Sequence, residues 1–117
     1  MFAVDEIPVR RVAFGTEQLG GYEWGKIDVA AIEQALVHAV ESGATFFDTA
    51  DCYGRGESER RLGAALGPRR SRAFVSSKVG VRFDPQGRVF YDNDPDYVEQ
   101  ALESSLDRLG TDFLDLL

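Results

Sequence analysis

The sequence has almost nothing that could staple a small domain or ligate a metal. It holds one cysteine, Cys52, and one histidine, His38, so an intrachain disulfide is excluded and no cluster of imidazole and thiolate ligands can form. No stretch approaches the roughly 18 consecutive apolar residues of a membrane span. Met1 to Glu6 lacks the basic and apolar regions of a secretion signal. These absences, with a lone thiol that fits a reducing compartment, predict a cytoplasmic protein with no membrane partner. Positive charge is also scarce: 13 Lys and Arg stand against 20 Asp and Glu, for a net charge of −7. A surface of that sign repels a nucleic-acid backbone. The three clustered bases Arg69, Arg70 and Arg72 read as a solvated turn. Nucleotide-loop signatures are missing too. Gly54-Arg55-Gly56-Glu57-Ser58-Glu59 supplies two glycines of a dinucleotide fingerprint but has Glu59 where the third belongs, and no Walker-type loop occurs.

What remains is an ordinary globular composition, 44% apolar and 28% charged over 117 residues, enough for one domain with a core. Arg11 to Thr16 reads as a short strand ending in glycine. Asp28 is placed to cap a helix in which Ile32, Leu36, Ala39 and Val40 recur at helical spacing, closing near Gly43. Thr45 to Asp48 is an apolar strand that stops at an acid. Ser58 opens a short helix with Leu62 and Leu66 on one face, closed by Gly67-Pro68. Arg72 to Gly80 gives a third strand. Val81 to Asn93 is a loop rich in turn formers, and Asp94-Pro95 starts a helix whose expected buried stripe is Val98, Leu102, Leu106 and Leu109. Gly110 ends it, and Asp112 to Leu117 begins a fourth strand.

The order is βαβαβαβ, with crossovers long enough to make every strand pair parallel. Two α/β architectures obey it, a doubly wound open sheet and a (β/α)8 barrel, and the alternation alone does not choose between them.

Asp48, Tyr53 and Lys78 all fall at or just past the carboxyl end of a predicted strand. In parallel neighbours those ends share one rim, where α/β proteins carry their chemistry. A phenol titrates near pH 10, too weak an acid to donate readily at neutral pH. A neighbouring ammonium favours the phenolate, and a carboxylate keeps that ammonium charged and fixed. Such a trio suits protonation of a carbonyl oxygen while hydride reaches the carbon. Taken singly, the three residues read as readily as a turn acid, a packed ring and a surface lysine. His38 is expected to face solvent, and Cys52 reads as a small loop residue. Trp24 and Tyr22 could wall a pocket or simply pack.

Three segments carry a family resemblance. Gly15-Thr16-Glu17-Gln18-Leu19-Gly20-Gly21 comes first. Phe47-Asp48-Thr49-Ala50-Asp51-Cys52-Tyr53-Gly54-Arg55-Gly56-Glu57-Ser58-Glu59 follows, with Leu62-Gly63, and then Ser77-Lys78-Val79-Gly80. Together these resemble the aldo-keto reductases, and Leu102 to Leu116 is similar to that family's helix and strand before its catalytic histidine. The resemblance implies a (β/α)8 TIM barrel that binds NADPH without a Rossmann fold and reduces aldehydes or ketones, or oxidises the corresponding alcohols or sugars. By matched position Tyr53 would be the general acid, Lys78 the group that lowers its pKa, and Asp48 the partner of Lys78. Gly15, Thr16 and Asp48 would lie against the cofactor. The segment Val89 to Tyr97 is similar to a bacterial branch with methylglyoxal and glyceraldehyde reductases, and to sugar-dehydrogenase members.

A full barrel takes about 250 residues. Residues 1–117 are therefore expected to be the N-terminal part of one barrel domain, with about four strands and three helices. The family's histidine would follow a few residues beyond Leu117, and this piece alone is expected to be inactive. Two other roles fit the same residues: a non-catalytic NADPH-binding relative acting as a regulatory subunit, and a small domain that builds a barrel from two copies. Small-molecule carbonyl or sugar substrates are the expected partners, with no nucleic acid and no membrane.

Overall fold

The computed structural model describes residues 11–21 and 24–117, together with the backbone of 2–4 and 7–9. Tyr22 lies outside the described residues. Strands β1 (Phe2–Val4) and β2 (Ile7–Val9) pair antiparallel, a hairpin the sequence reading did not anticipate. β3 (Phe14–Gly15) follows, then helix α1 (Val29–Glu41), β4 (Phe46–Asp48), α2 (Glu57–Leu66) and β5 (Phe74–Ser76). The last three strands form a parallel sheet in the order β3-β4-β5, with Gly15 opposite Asp48 and Asp48 opposite Ser76. Beyond β5, Leu116 makes a single parallel bridge to Ser76. The expected fourth strand is thus present as one bridge.

The observed strands are shorter than the apolar runs suggested. Arg11, Val12 and Ala13 are exposed and lie before β3, and Lys78 lies past the end of β5 rather than within it. The segment expected to be loop contains a second antiparallel hairpin, β6 (Val81–Phe83) with β7 (Val89–Tyr91). Its turn is held by Asp84, whose carboxylate accepts the backbone N–H groups of Gln86 and Arg88. Helix α3 (Pro95–Leu109) then leads to the Leu116 bridge.

The helices start and stop where the capping chemistry places them. The Asp28 carboxylate accepts from the Ala31 N–H at 3.1 Å, and Asp94 accepts from Asp96 with Pro95 at the first helical position. Ser58 does not cap α2: the capping position belongs to Gly56, and the Ser58 hydroxyl points inward. One turn further out, Gly54 adopts φ 58°, and a Cβ there would collide with the backbone of Gly20. Only glycine satisfies both demands.

Leu19, Leu36, Phe47, Leu62, Leu66, Ala73, Val75 and Leu109 form the buried core between the sheet and its helices. Each leucine removed from water in this way contributes about 1.5–3 kcal/mol. On α3 the face turned inward is Ala101, Ser105 and Leu109, while Val98, Leu102 and Leu106 of the expected stripe are half-buried. The small residues let α3 approach α2 closely enough that a Cβ on Gly63 would strike the Leu109 carbonyl. Arg70 also departs from expectation. It is buried, with its guanidinium 2.8 Å from Asp115, 3.0 Å from the Phe113 carbonyl and stacked over the Phe113 ring. Among the described residues no helix is long and apolar enough to cross a membrane.

Candidate functional site at the sheet rim

Parallel pairing puts the carboxyl ends of β3, β4 and β5 side by side, so the residues that leave the strands there share one rim. Asp48 closes β4, and after four intervening residues a tight turn, Tyr53–Gly56, in which Gly54 and Arg55 both take positive φ, carries the tyrosine. From the neighbouring strand end Lys78 reaches across, placing its Nζ 2.9 and 2.8 Å from the two carboxylate oxygens of Asp48. A third hydrogen bond, 2.8 Å, runs from Nζ to the Thr49 carbonyl. The ammonium thus has three acceptors within 3 Å. The Tyr53 ring lies alongside, its centroid 5.3 Å from the same nitrogen. The three rim residues singled out from the sequence are thus brought together.

The electrostatics follow from this packing. Partial burial alone would lower the Lys78 pKa, but its hydrogen bond and charge attraction to Asp48, with a smaller contribution from Tyr53, outweigh it. The net effect is a pKa above the ordinary 10.5. The ammonium is therefore held charged. The lysine and aspartate side chains nevertheless keep 50% and 36% of their surface open, so the pair faces solvent along one side.

The two β3 candidates are placed differently from each other. Gly15 is exposed, sits in register with Asp48, and has open space where a Cβ would project. Thr16 is buried, and both its hydroxyl and its N–H donate to the Asp48 carbonyl at 3.0 Å. Its side chain braces the strand end from inside. Trp24 is 58% exposed. His38 is exposed on α1, 3.4 Å from the Ser42 hydroxyl. Cys52 is half-buried in the loop beside Asp51.

A second group lies beneath the rim, built around residues that no sequence motif marks as a site. Ser58 donates to the Thr16 carbonyl at 2.7 Å and lies within 3.1 Å of both the Thr16 and Thr49 hydroxyls. Glu59, fully buried, accepts from the Ser77 hydroxyl and from Arg108 of α3, each at 2.6 Å. Asp51 lies nearby, lining an open cleft of about 450 Å³ with Arg55, Arg82, Tyr97 and Arg108. Burial, then the Glu59 charge, push its pKa up from 3.8 to about 6, against the opposing pull of Arg108 and of the Cys52 N–H. The signal that could have exposed Glu59 was its spacing. It falls three residues before Leu62 and seven before Leu66, on the buried stripe of α2.

Known proteins resemble the chain over nearly its whole length. An aldo-keto reductase of Schizosaccharomyces pombe, designated yakc [NADP(+)], is 35% identical over 120 residues, covering 94% of this chain and 35% of its own. The structure of a glycerol dehydrogenase from Gluconobacter oxydans superposes with a TM-score of 0.80 at 33% identity, over 93% of this chain and 35% of that one. An aldo-keto reductase from Klebsiella pneumoniae, solved in complex with NADPH, gives 0.64 at 30% identity, over 92% and 34%. The chain thus spans about a third of the length of these relatives, and its fold is a partial piece of their (β/α)8 barrel. The aldo/keto reductase family model matches residues 11–117, and the chain belongs to that family of oxidoreductases.

Proposed function

We propose that this chain supplies the proton-donating part of an NADP-dependent oxidoreductase that reduces aldehydes or ketones, or oxidises the corresponding alcohols or sugars. The observation that carries this reading is the rim itself, where a lysine held charged by a two-oxygen contact to Asp48 lies against the Tyr53 ring. A cofactor fits beside it. Gly15 leaves a side-chain-free position next to Asp48, with no atom within 4 Å of where a Cβ would project, and a nicotinamide ring would approach the strand end there. NADPH, when bound there, supplies the hydride.

The remaining steps belong to the protein. The Tyr53 hydroxyl donates its proton to the substrate's carbonyl oxygen as the carbonyl carbon accepts hydride, and the product is the alcohol. The phenolate left behind forms beside a fixed positive charge, which is stabilising to the extent that the charge is already in place before reaction. Asp48 and the Thr49 carbonyl hold the ammonium, so little reorganisation is needed at that moment. In the reverse direction the phenolate accepts the alcohol proton. Turnover belongs to a chain of the relatives' full length, and residues 1–117 alone are expected to reduce no carbonyl.

The test is Tyr53→Phe in a full-length protein carrying this chain. Carbonyl reduction is expected to be abolished while NADPH still binds, measured by quenching of protein fluorescence. Reduction of aldehydes by the Phe variant at the parental rate would remove Tyr53 from the role.

A further inference from the structure

Position 59 is an odd place for a charge. It lies on the same stripe of α2 as Leu62 and Leu66, and all three are fully buried. An apolar side chain there would continue the core, whereas a buried carboxylate costs several kcal/mol of desolvation unless fully paired. Glu59 is fully paired, and its two oxygens face different structures. One accepts from Arg108, which α3 carries and which also donates to the Ser105 hydroxyl at 3.0 Å. The other accepts from Ser77, the residue immediately before Lys78. The Ser77 N–H is already bound to the Leu116 carbonyl at 3.0 Å, and the Lys78 carbonyl accepts from the Asp51 N–H at 3.0 Å. The Ser77 hydroxyl is thus a separate tether, pulling the strand end toward α2 while the lysine side chain extends toward the rim.

We infer that Glu59 is a positioning residue for Lys78, acting through Ser77, with Arg108 anchoring the carboxylate from α3. The inference rests on the assignment of Lys78 to the proton-donating site. Its neighbour Ser58 performs the matching task for Asp48, through Thr16 and Thr49 on the adjacent strand ends. Two consecutive residues of one helix therefore set both halves of the ion pair. A looser strand end would let the ammonium drift from the place where negative charge develops on Tyr53, and displacements of that kind cost rate rather than binding.

Two variants of the full-length protein separate positioning from simple packing. Ser77→Ala removes the tether and leaves the Glu59–Arg108 pair. Glu59→Gln discharges the pair but keeps the tether, since its one oxygen can accept from Arg108 while its NH2 group donates to the Ser77 hydroxyl. In cofactor-free protein, the Lys78 ammonium is followed by proton–nitrogen correlation NMR, where a fixed, hydrogen-bonded ammonium exchanges slowly. Ser77→Ala is expected to lose that signal with little change in melting temperature. Glu59→Gln is expected to melt lower and keep it. In single turnover, Ser77→Ala should fall about tenfold with NADPH affinity unchanged, and should cause no further loss in a Lys78→Met background. A parental Lys78 signal in Ser77→Ala, or an equal loss of rate with and without Lys78, would overturn the inference. A parent that reduces no carbonyl would instead overturn the functional reading, while the NMR comparison still decides the tether.

Discussion

Two ion pairs brace the same sheet, and their difference explains what each can do. Arg70, just before β5, meets Asp115 with only 9% and 7% of the two side chains exposed. Lys78, just after β5, meets Asp48 at the same 2.8 Å separation but with 50% and 36% exposed. The buried pair is surrounded by further bonds: Arg70 donates to two carbonyls, and Asp115 accepts the Val75 N–H. Removing one partner there strands a charge away from water. The rim pair is solvated along one side, so its loss costs the fold little. At equal separation, burial decides how much of the fold depends on each pair.

The contrast can be broken most directly at Arg70. Arg70→Met should cost about 3–5 kcal/mol, because the Asp115 carboxylate is left buried and unpaired. Urea denaturation reads this, and a loss below about 1 kcal/mol would show that solvent already reaches the pair. Asp51 gives a pH-signed test between these extremes. Its folded pKa of about 6 lies above the ordinary 3.8, so the native state binds the proton more tightly and stability falls as pH rises through that window. Asp51→Asn should therefore stabilise at pH 7–8, by on the order of 1 kcal/mol given screening through the open cleft. The gain should vanish below about pH 4, below both pKa values.

Lys78→Met should change stability by no more than about 1 kcal/mol, yet remove most of the carbonyl reduction in a full-length protein. Equal damage to both properties would erase the distinction between the pairs. The smallest effect is expected at Arg60, 3.7 Å from Glu57 and exposed. Arg60→Ala should stay within about 0.5 kcal/mol in the same denaturation experiment.

How much of this was legible in the sequence depended on the kind of residue. Asp48 and Lys78 were visible because each follows an apolar strand, and parallel pairing then forces their ends together. The helix starts at Asp28 and Asp94 were visible because capping is local chemistry. Glu59 and Arg70 were not. Arg70 sits in a basic cluster that reads as a solvated turn. Glu59 reads as a departure from a glycine fingerprint, although its spacing places it on the α2 stripe. Their partners lie 45 and 49 residues away, on elements whose approach no local pattern encodes. Ser58 misled for a related reason, since a serine at a helix start serves equally as a cap or as an inward tether. The β6–β7 hairpin was hidden by its own exposure: Val89, Phe90 and Tyr91 are exposed on both faces of their strand, and three apolar residues in a row give no alternation of apolar and polar positions.

The contact between Gly54 and Gly20 bears on how such a protein can be diversified. Gly54 accepts no side chain while the Gly20 backbone stays where it is, so the loop before α2 and the turn after β3 are held in close contact. A library built on this chain gains nothing by randomising Gly54. Variation is better spent on residues 85–88, the exposed tip between β6 and β7, away from the Asp92 contact with Gly80 that lies close to Lys78.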